Sequence, residues 1–310
     1  MNNDLSTFYI PKAKGYRKIT TYKDRNGNLI KYHDKVNISL QKRLKQSIFA
    51  KAYIKKRSIV TNAKTHMYND IFISMDIKDF FQSITHDRLI NTLYYEINKN
   101  TVGHFTLEQC RDLVKSCSTG QRGIAIGLKP SPILANVYLK DFDGVLYGWL
   151  KKLDLDNVIY TRYADDMMVS YRSNSKDTVP ANKEIISKVS ELLKLSYLRL
   201  NASKTRIINL NISNHVRITG INITKNDDNF RMLTVGRKQK DDLYYRSIGL
   251  FVKETKDDKW YLEAKKIQGM QSFILSVEGE RYLNTYSKKM NNVINDLGYK
   301  NLKDLIDNLI

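Results

Sequence analysis

The stretch NVIYTRYADDMMVSY, Asn157 to Tyr171, sets two aspartates side by side between two strongly apolar runs. Val158, Ile159, Tyr160 and Tyr163 ahead of the pair, and Met167, Met168, Val169 and Tyr171 behind it, are residues suited to strands. The segment predicts a β-hairpin with its turn near Ala164-Asp165, which holds Asp165 and Asp166 at the tip of two paired strands. A turn of merely solvated aspartates would share this local pattern. Adjacent carboxylates repel each other, however. Keeping them together at neutral pH makes sense if a cation such as Mg2+ sits between them and a third oxygen ligand.

The best candidate for that third ligand lies in DIFISMDIKDFF, Asp70 to Phe81. Ile71, Ile73, Met75 and Ile77 alternate there with Phe72, Ser74 and Asp76, so a strand puts Asp76 on the face opposite the isoleucines. Asp76 then stands at the end of a buried strand, followed by a turn or helix carrying Asp79, Phe80 and Phe81. The alternative is an aspartate that caps a helix.

Charge narrows the class of partner. The net charge is +20, and the first 60 residues hold 15 Lys and Arg against 3 Asp, so +12 of the excess lies ahead of Asp76. Such clustering is the footprint of a phosphate-binding surface, or else a solvated basic face. Among the cations, 20 tyrosines can serve as stacking platforms or as packing residues. Cys110 and Cys117 share one face of a helical stretch as small core residues, without zinc spacing. No signal segment leads the chain and no apolar run approaches the ~18 residues of a membrane span, so secretion and membrane insertion are not expected and a cytoplasmic location fits.

Several short motifs, taken in order, resemble the palm of a reverse transcriptase. They are Asp-x-x-x-x-Phe (Asp76 to Phe81), SPILAN (Ser131 to Asn136) and the Tyr-x-Asp-Asp hairpin (Tyr163 to Asp166). LNASKT, with Lys204, resembles the family's lysine motif, and VRITGINI, centred on Gly220, its primer-grip hairpin. NAKTH, Asn62 to His66, is similar to the N-A-x-x-H element of bacterial retron enzymes. ITG, Ile218 to Gly220, is similar to their V-T-G element with Ile for Val, and IQGMQSFILSVEGERYLNTY to their thumb. The likeness runs from about Lys12 to about Asn292. One departure stands out: AIGLKPSP places Ile126 where most retrons carry a Gln that helps shape the template and nucleotide pocket. The Ile-Gly version resembles other bacterial reverse transcriptases, including diversity-generating and defence-associated ones.

The resemblance implies an α+β right-hand polymerase fold with an antiparallel palm sheet and a helical thumb. Fingers are expected over residues 1–70, with a strand at GYRKITTY, a hairpin at Asn26-Gly27-Asn28 and a helix from about Ile38 to Lys55. The palm is expected over 71–225, interrupted by a helical segment from Thr85 to about Ser118, and the thumb over 226–310. No span is left for an appended RNase H or endonuclease domain. Asp76 and Asp165 would bind two Mg2+ ions, with the Ile77 backbone completing a shell and Asp166 accessory. Backbone amides near Asp79 and Phe80 would face the triphosphate, and Phe81 would lie beneath the incoming sugar. Arg17 is the candidate to pair with the nucleotide phosphates, since a guanidinium matches their geometry. Lys204 would protonate or steady the leaving pyrophosphate.

Asn62, His66, Thr219 and Gly220 are the expected RNA-recognition residues. Asn62 and His66 are spaced to share a helical face, with groups that read RNA edges or a 2'-hydroxyl. The implied partners are a cognate structured noncoding RNA that is both template and primer source, dNTPs, an RNA–DNA hybrid product (msDNA) and an accessory effector protein in antiphage defence. Two other readings stay open: a defence reverse transcriptase outside the retrons, untemplated or protein-primed, and a non-catalytic RNA-binding scaffold.

Overall fold

The computed structural model describes residues 4–12, 15–99, 104–118, 120–173, 178–226, 228–253 and 255–309. The chain divides into two compact units, one formed by Met1–Ser58 with Asn69–Asn209 and the other by Ile59–Tyr68 with Leu210–Ile310.

In the first unit, β1 (Leu5–Pro11) and β2 (Tyr16–Tyr22) form an antiparallel hairpin with Ile10 opposite Arg17. GYRKITTY is therefore a strand, but the turn expected at Asn26-Gly27-Asn28 is not a hairpin. Gly27 is instead the N-cap of α1 (Asn28–Arg43), and the Asp24 carboxylate accepts from the Asn26 N–H at 2.8 Å to lead the chain in. The helix expected from Ile38 to Lys55 thus starts ten residues earlier and stops at Arg43. Beyond it the Arg57 guanidinium donates to the carbonyls of Ser47, at 2.7 Å, and Ala50, satisfying a loop in which Tyr53 and Lys56 adopt φ of 63° and 65°. Local satisfaction of this kind competes with helix.

The central sheet is antiparallel throughout. Its strands are β3 (Ile71–Asp76), β4 (Asp156–Tyr163), β5 (Asp166–Arg172) and β6 (Arg206–Asn209), in the order β4-β5-β3-β6. Register sets Ile71, Ile73 and Met75 opposite Tyr171, Val169 and Met167. All six join one buried cluster with residues of four helices: Leu89 and Leu93 of α4 (His86–Asn98), Leu134 and Tyr138 of α6 (Ser131–Tyr138), Leu146 of α7 (Lys140–Leu150), and Ile185 and Val189 of α8 (Val179–Leu195). Full burial of such side chains contributes about 2 kcal/mol each. The pleat then turns Phe72, Ser74 and Asp76, with Ser170, Met168 and Asp166, to the opposite face.

Between β3 and α4 lies the single turn α3 (Phe80–Ser83). The helical segment expected over Thr85 to Ser118 is two helices, α4 and α5 (Leu107–Ser116), the second opened by a capping box of Thr106 and Gln109. Residues 100–103 within that segment lie outside the described residues. Cys110 and Cys117 are free and buried.

The second unit joins α2 (Ile59–Thr65) to an antiparallel sheet of β7 (His215–Ile218), β8 (Ile221–Lys225) and β9 (Arg231–Thr234). Among the described residues four α-helices follow: α9 (Arg237–Phe251), α10 (Asp258–Glu278), α11 (Lys288–Asp296) and α12 (Leu302–Asp307). α9 and α10 carry the two stretches whose apolar spacing predicts thumb helices. Their core contains Leu243, Leu250, Trp260, Ile267 and Ile274. Buried Glu278 ties sheet to helices: it accepts from the Thr234 hydroxyl at 2.7 Å, the Val235 N–H at 2.9 Å and the Lys240 ammonium at 3.1 Å. Among the described residues no helix is long and apolar enough to cross a membrane.

Candidate active site

The carboxylates meet where β3 and β5 end. Asp76 stands directly opposite Asp166 in the strand register, and the hairpin turn between Tyr163 and Asp166 consists of Ala164 and Asp165. Past Asp76 the chain is clasped from two sides. The Ile77 N–H donates to the Asp165 carbonyl at 3.0 Å, while the Asn201 N–H donates to the Asp76 carbonyl at 2.8 Å and the Lys78 N–H to the Arg199 carbonyl at 2.9 Å. These main-chain bonds put all three aspartates on one small patch of backbone.

The side chains of that patch are polarised. The Asp76 Oδ1 accepts from the Asn201 amide at 3.0 Å, and its Oδ2 takes the Lys204 ammonium at 2.8 Å. Burial raises the Asp165 carboxyl above its ordinary range, the Asp76 charge adds to the rise, and the fields of Lys204 and Arg17 oppose it. Asp166 is pushed up to about 6, first by burial and then by the charges of Asp165 and Asp76. Its side chain still has an exposed face, so solvent screens part of that effect.

With Asp165 and Asp166 both raised, the three carboxylates form a hard-oxygen donor set suited to a divalent cation. Among the described residues no three His, Cys, Asp or Glu side chains already enclose an ion position. Lys204 holds one of the Asp76 oxygens that an ion would take.

The remaining sequence-predicted residues of this unit fall nearby or behind. Arg17 lies exposed on β2, with its charge felt at Asp165. Asp79 takes a left-handed φ of 46° ahead of α3, Phe80 is buried, and Phe81 packs half-buried against the core with its ring 5.5 Å from that of Phe80. Ile126 acts through its backbone, its carbonyl accepting from the Thr20 N–H at 2.8 Å.

Two residues escaped sequence reasoning. Asn201 lies inside LNASKT, and its only signal was the neighbouring lysine. Tyr53 sits in the loop misread as helix, and burial followed by the Asp165 charge raises its hydroxyl. If Phe81 lies beneath the incoming sugar, as the family resemblance implies, truncation to alanine opens space there. Phe81→Ala is expected to raise ribonucleotide incorporation on the order of tenfold relative to deoxyribonucleotide. Single-nucleotide extension measures this, and unchanged discrimination would make Phe81 a packing residue.

The second unit brings together the other four residues. Asn62 and His66 are buried at 2% and 0% exposure, so neither presents an open edge. The Asn62 amide points to the Thr219 hydroxyl at 3.4 Å, and Thr219 and Gly220 form the β7–β8 turn with φ of 46° and 94°. The Asn62 Oδ1 is buried without a hydrogen-bond partner.

The family model "Reverse transcriptase (RNA-dependent DNA polymerase)" matches residues 10–237, and the chain belongs to that family. Its members polymerise DNA on an RNA template and use divalent metal ions. Within the family this chain is similar to reverse transcriptases of retrons. It is 23% identical over 235 residues to the Retron Ec83 reverse transcriptase of Escherichia coli, covering 74% of this chain and 69% of that one. To the Escherichia coli Retron Ec73 enzyme it is 31% identical over 163 residues, covering 48% and 51%. To the Retron Ec86 enzyme it is 26% identical over 250 residues, covering 80% and 69%. In fold it is similar to apo telomerase from Candida tropicalis, with a TM-score of 0.52 at 13% identity over 97% of this chain and 60% of that one. The α+β architecture is that of a right-hand polymerase.

Proposed function

We propose that this chain copies part of a cognate structured noncoding RNA into a short DNA that stays joined to it as an RNA–DNA hybrid, msDNA, and that it does so in antiphage defence with an accessory effector protein. The observation that carries the reading is the contact of Asn62 with Thr219, because it joins the two short elements in which the sequence is most retron-like. The retron names of the relatives support it.

In this reading Asp76 and Asp165, with the Ile77 backbone, would hold two Mg2+ ions, which when bound would supply activation of the primer hydroxyl and charge stabilisation for the leaving pyrophosphate. The chain's own residues do the rest. Arg17 and the amides of Asp79 and Phe80 orient the triphosphate of a dNTP. Phe81 excludes the ribose 2'-hydroxyl, and Asp166 adds negative charge beside Asp165. Lys204, released from Asp76, steadies or protonates the pyrophosphate. Fingers over 1–70, palm over 71–225 and thumb over 226–310 remain the functional division proposed for the cytoplasmic enzyme.

Sequencing the nucleic acid that co-purifies with the protein tests this. One short DNA joined to one structured RNA is expected. DNA attached to protein, or DNA of no fixed template, would place the enzyme with defence reverse transcriptases outside the retrons.

A second measurement addresses the recognition element. Asn62 contacts Thr219 in the β7–β8 turn, His66 is buried just past α2, and that turn meets the cognate RNA. Asn62→Ala with His66→Ala is therefore expected to abolish synthesis on that RNA while leaving extension of a generic primed template within about threefold, the metal site being untouched. Equal loss on both templates would indicate a folding defect. Equal retention would remove the role in recognition.

A further inference from the structure

Behind the aspartate hairpin lies a fully buried arginine. Arg162 of β4 and its partner Asp143 of α7 are both 0% exposed. The guanidinium Nε and one terminal nitrogen donate to the two Asp143 oxygens, each at 2.8 Å, and the Tyr160 hydroxyl donates to the first of those oxygens at 2.8 Å. Removing two charges from water is costly, and a buried pair of this kind can be replaced by apolar residues without loss of stability. Stability alone does not explain why an arginine is here.

The other terminal nitrogen supplies the reason. It donates to the Asn136 Oδ1 and to the Ala164 carbonyl, both at 3.2 Å. Ala164 has φ of 58°, a conformation that an alanine adopts only when its surroundings enforce it. Its carbonyl belongs to the peptide that leads into Asp165. Holding that oxygen sets the direction in which the Asp165 side chain leaves the turn.

The support is anchored in turn. The Asn136 amide donates to the Ala52 carbonyl at 3.0 Å. The Arg162 main chain pairs with the same loop, its N–H donating to the Phe49 carbonyl at 2.9 Å and its carbonyl accepting from the Lys51 N–H at 2.7 Å. Arg162 is thus fixed at both ends before it reaches the turn. Its charge is spent on Asp143, so its influence on Asp165 is geometric.

We propose that Arg162 is a positioning residue for DNA synthesis: backed by Asp143 and Asn136, its guanidinium clamps the Ala164-Asp165 peptide and holds the Asp165 carboxylate in line with Asp76. The proposal rests on Asp165 being a catalytic carboxylate, which Asp165→Asn tests separately. If that variant kept full activity, the site reading would fail whatever Arg162 does.

The direct test is Arg162→Lys, which keeps the charge for Asp143 but lacks the planar fork that reaches Asn136 and Ala164 together. The expected result is a fall in kcat of roughly 10- to 100-fold, the scale for a displacement of about 1 Å at a catalytic group. The dNTP KM, RNA affinity and melting temperature should change little. Adding Ala164→Gly to Arg162→Lys should recover part of kcat, because glycine holds the positive φ without enforcement.

If Arg162→Lys fails to fold, the apolar trio Arg162→Met, Asp143→Leu and Tyr160→Phe asks the same question, with folding verified by melting temperature. Parental kcat in either folded variant overturns the proposal. So does a loss shared equally by kcat, RNA affinity and melting temperature that Ala164→Gly does not repair, since that is the signature of a core defect.

Discussion

Asp165→Asn with Asp166→Asn is expected to lower DNA synthesis on a primed RNA template by a factor on the order of 10³, while RNA affinity is retained. The substitution keeps shape and removes the negative charge that is proposed to hold divalent cations beside Asp76. RNA affinity is expected to survive because the basic residues ahead of Asp76, where +12 of the net charge lies, are proposed to meet the phosphates rather than the carboxylates. Stability gives an internal control whose sign follows from the titration. Asp166 is pushed up to about 6, so the folded chain binds the proton more tightly than the unfolded chain does. Without metal, stability then falls as pH rises from the ordinary carboxylate range through about 6. Neutral asparagines remove that penalty, and the double variant should melt no lower than the parent at neutral pH in a chelating buffer. Undiminished primer extension would sink the metal-site assignment. Lost activity together with a lowered melting temperature would point to misfolding.

Gly127→Ala is the second large effect. Gly127 has φ of +112°, and a Cβ there would lie 2.3 Å from the Thr20 carbonyl oxygen, a backbone atom with no rotamer to yield. β2 must retreat or the loop must let go, at a cost of about 2–4 kcal/mol. The strand concerned also bears Arg17, and the Ile126-to-Thr20 hydrogen bond sits beside the clash. The expected outcome is a drop in melting temperature of several degrees with a raised KM for dNTPs. A thermal melt indistinguishable from the parent, with unchanged KM, would show that this approach is not maintained in solution. The replacement of the usual Gln by Ile126 is compatible with such a tie, because the carbonyl rather than the side chain makes it.

What the sequence revealed depended on how local the determining physics was. The hairpin turn at Ala164-Asp165 was legible because its flanking runs are strand formers and both aspartates sit at one point between them. The buried strand ending at Asp76 was legible for the same reason, its period of two surviving into the structure. Asn26-Gly27 was misread because the same dipeptide closes hairpins and opens helices. What decides between them is whether the following residues carry a helical apolar stripe, here Leu29, Ile30, Val36 and Leu40. The helix projected to Lys55 failed because its competitor, the reach of Arg57 back to three carbonyls, depends on side-chain geometry that no periodicity encodes. In the active site, residue types and spacing marked the carboxylates, and the family resemblance marked Lys204. Neither marked Asn201, whose bond to Asp76 spans 125 positions. NAKTH and ITG were each visible as motifs, whereas their mutual contact and burial became visible only once the chain was folded.

That last contact has a consequence for how the chain is made. α2 belongs to the second unit, yet Asn62 and Thr219 are 157 residues apart, and the larger segment of the first unit, Asn69–Asn209, is synthesised between them. A ribosome adding ~5–20 residues per second leaves α2 without its sheet for roughly 10 seconds or more. During that interval Ala63 and His66, both fully buried in the finished fold, have no native cover. The first unit can close early, by pairing β3 with β5, whereas the second must wait for β8 to emerge. The retron-like element is therefore among the last pieces to acquire its native surroundings, although it lies near the start of the chain.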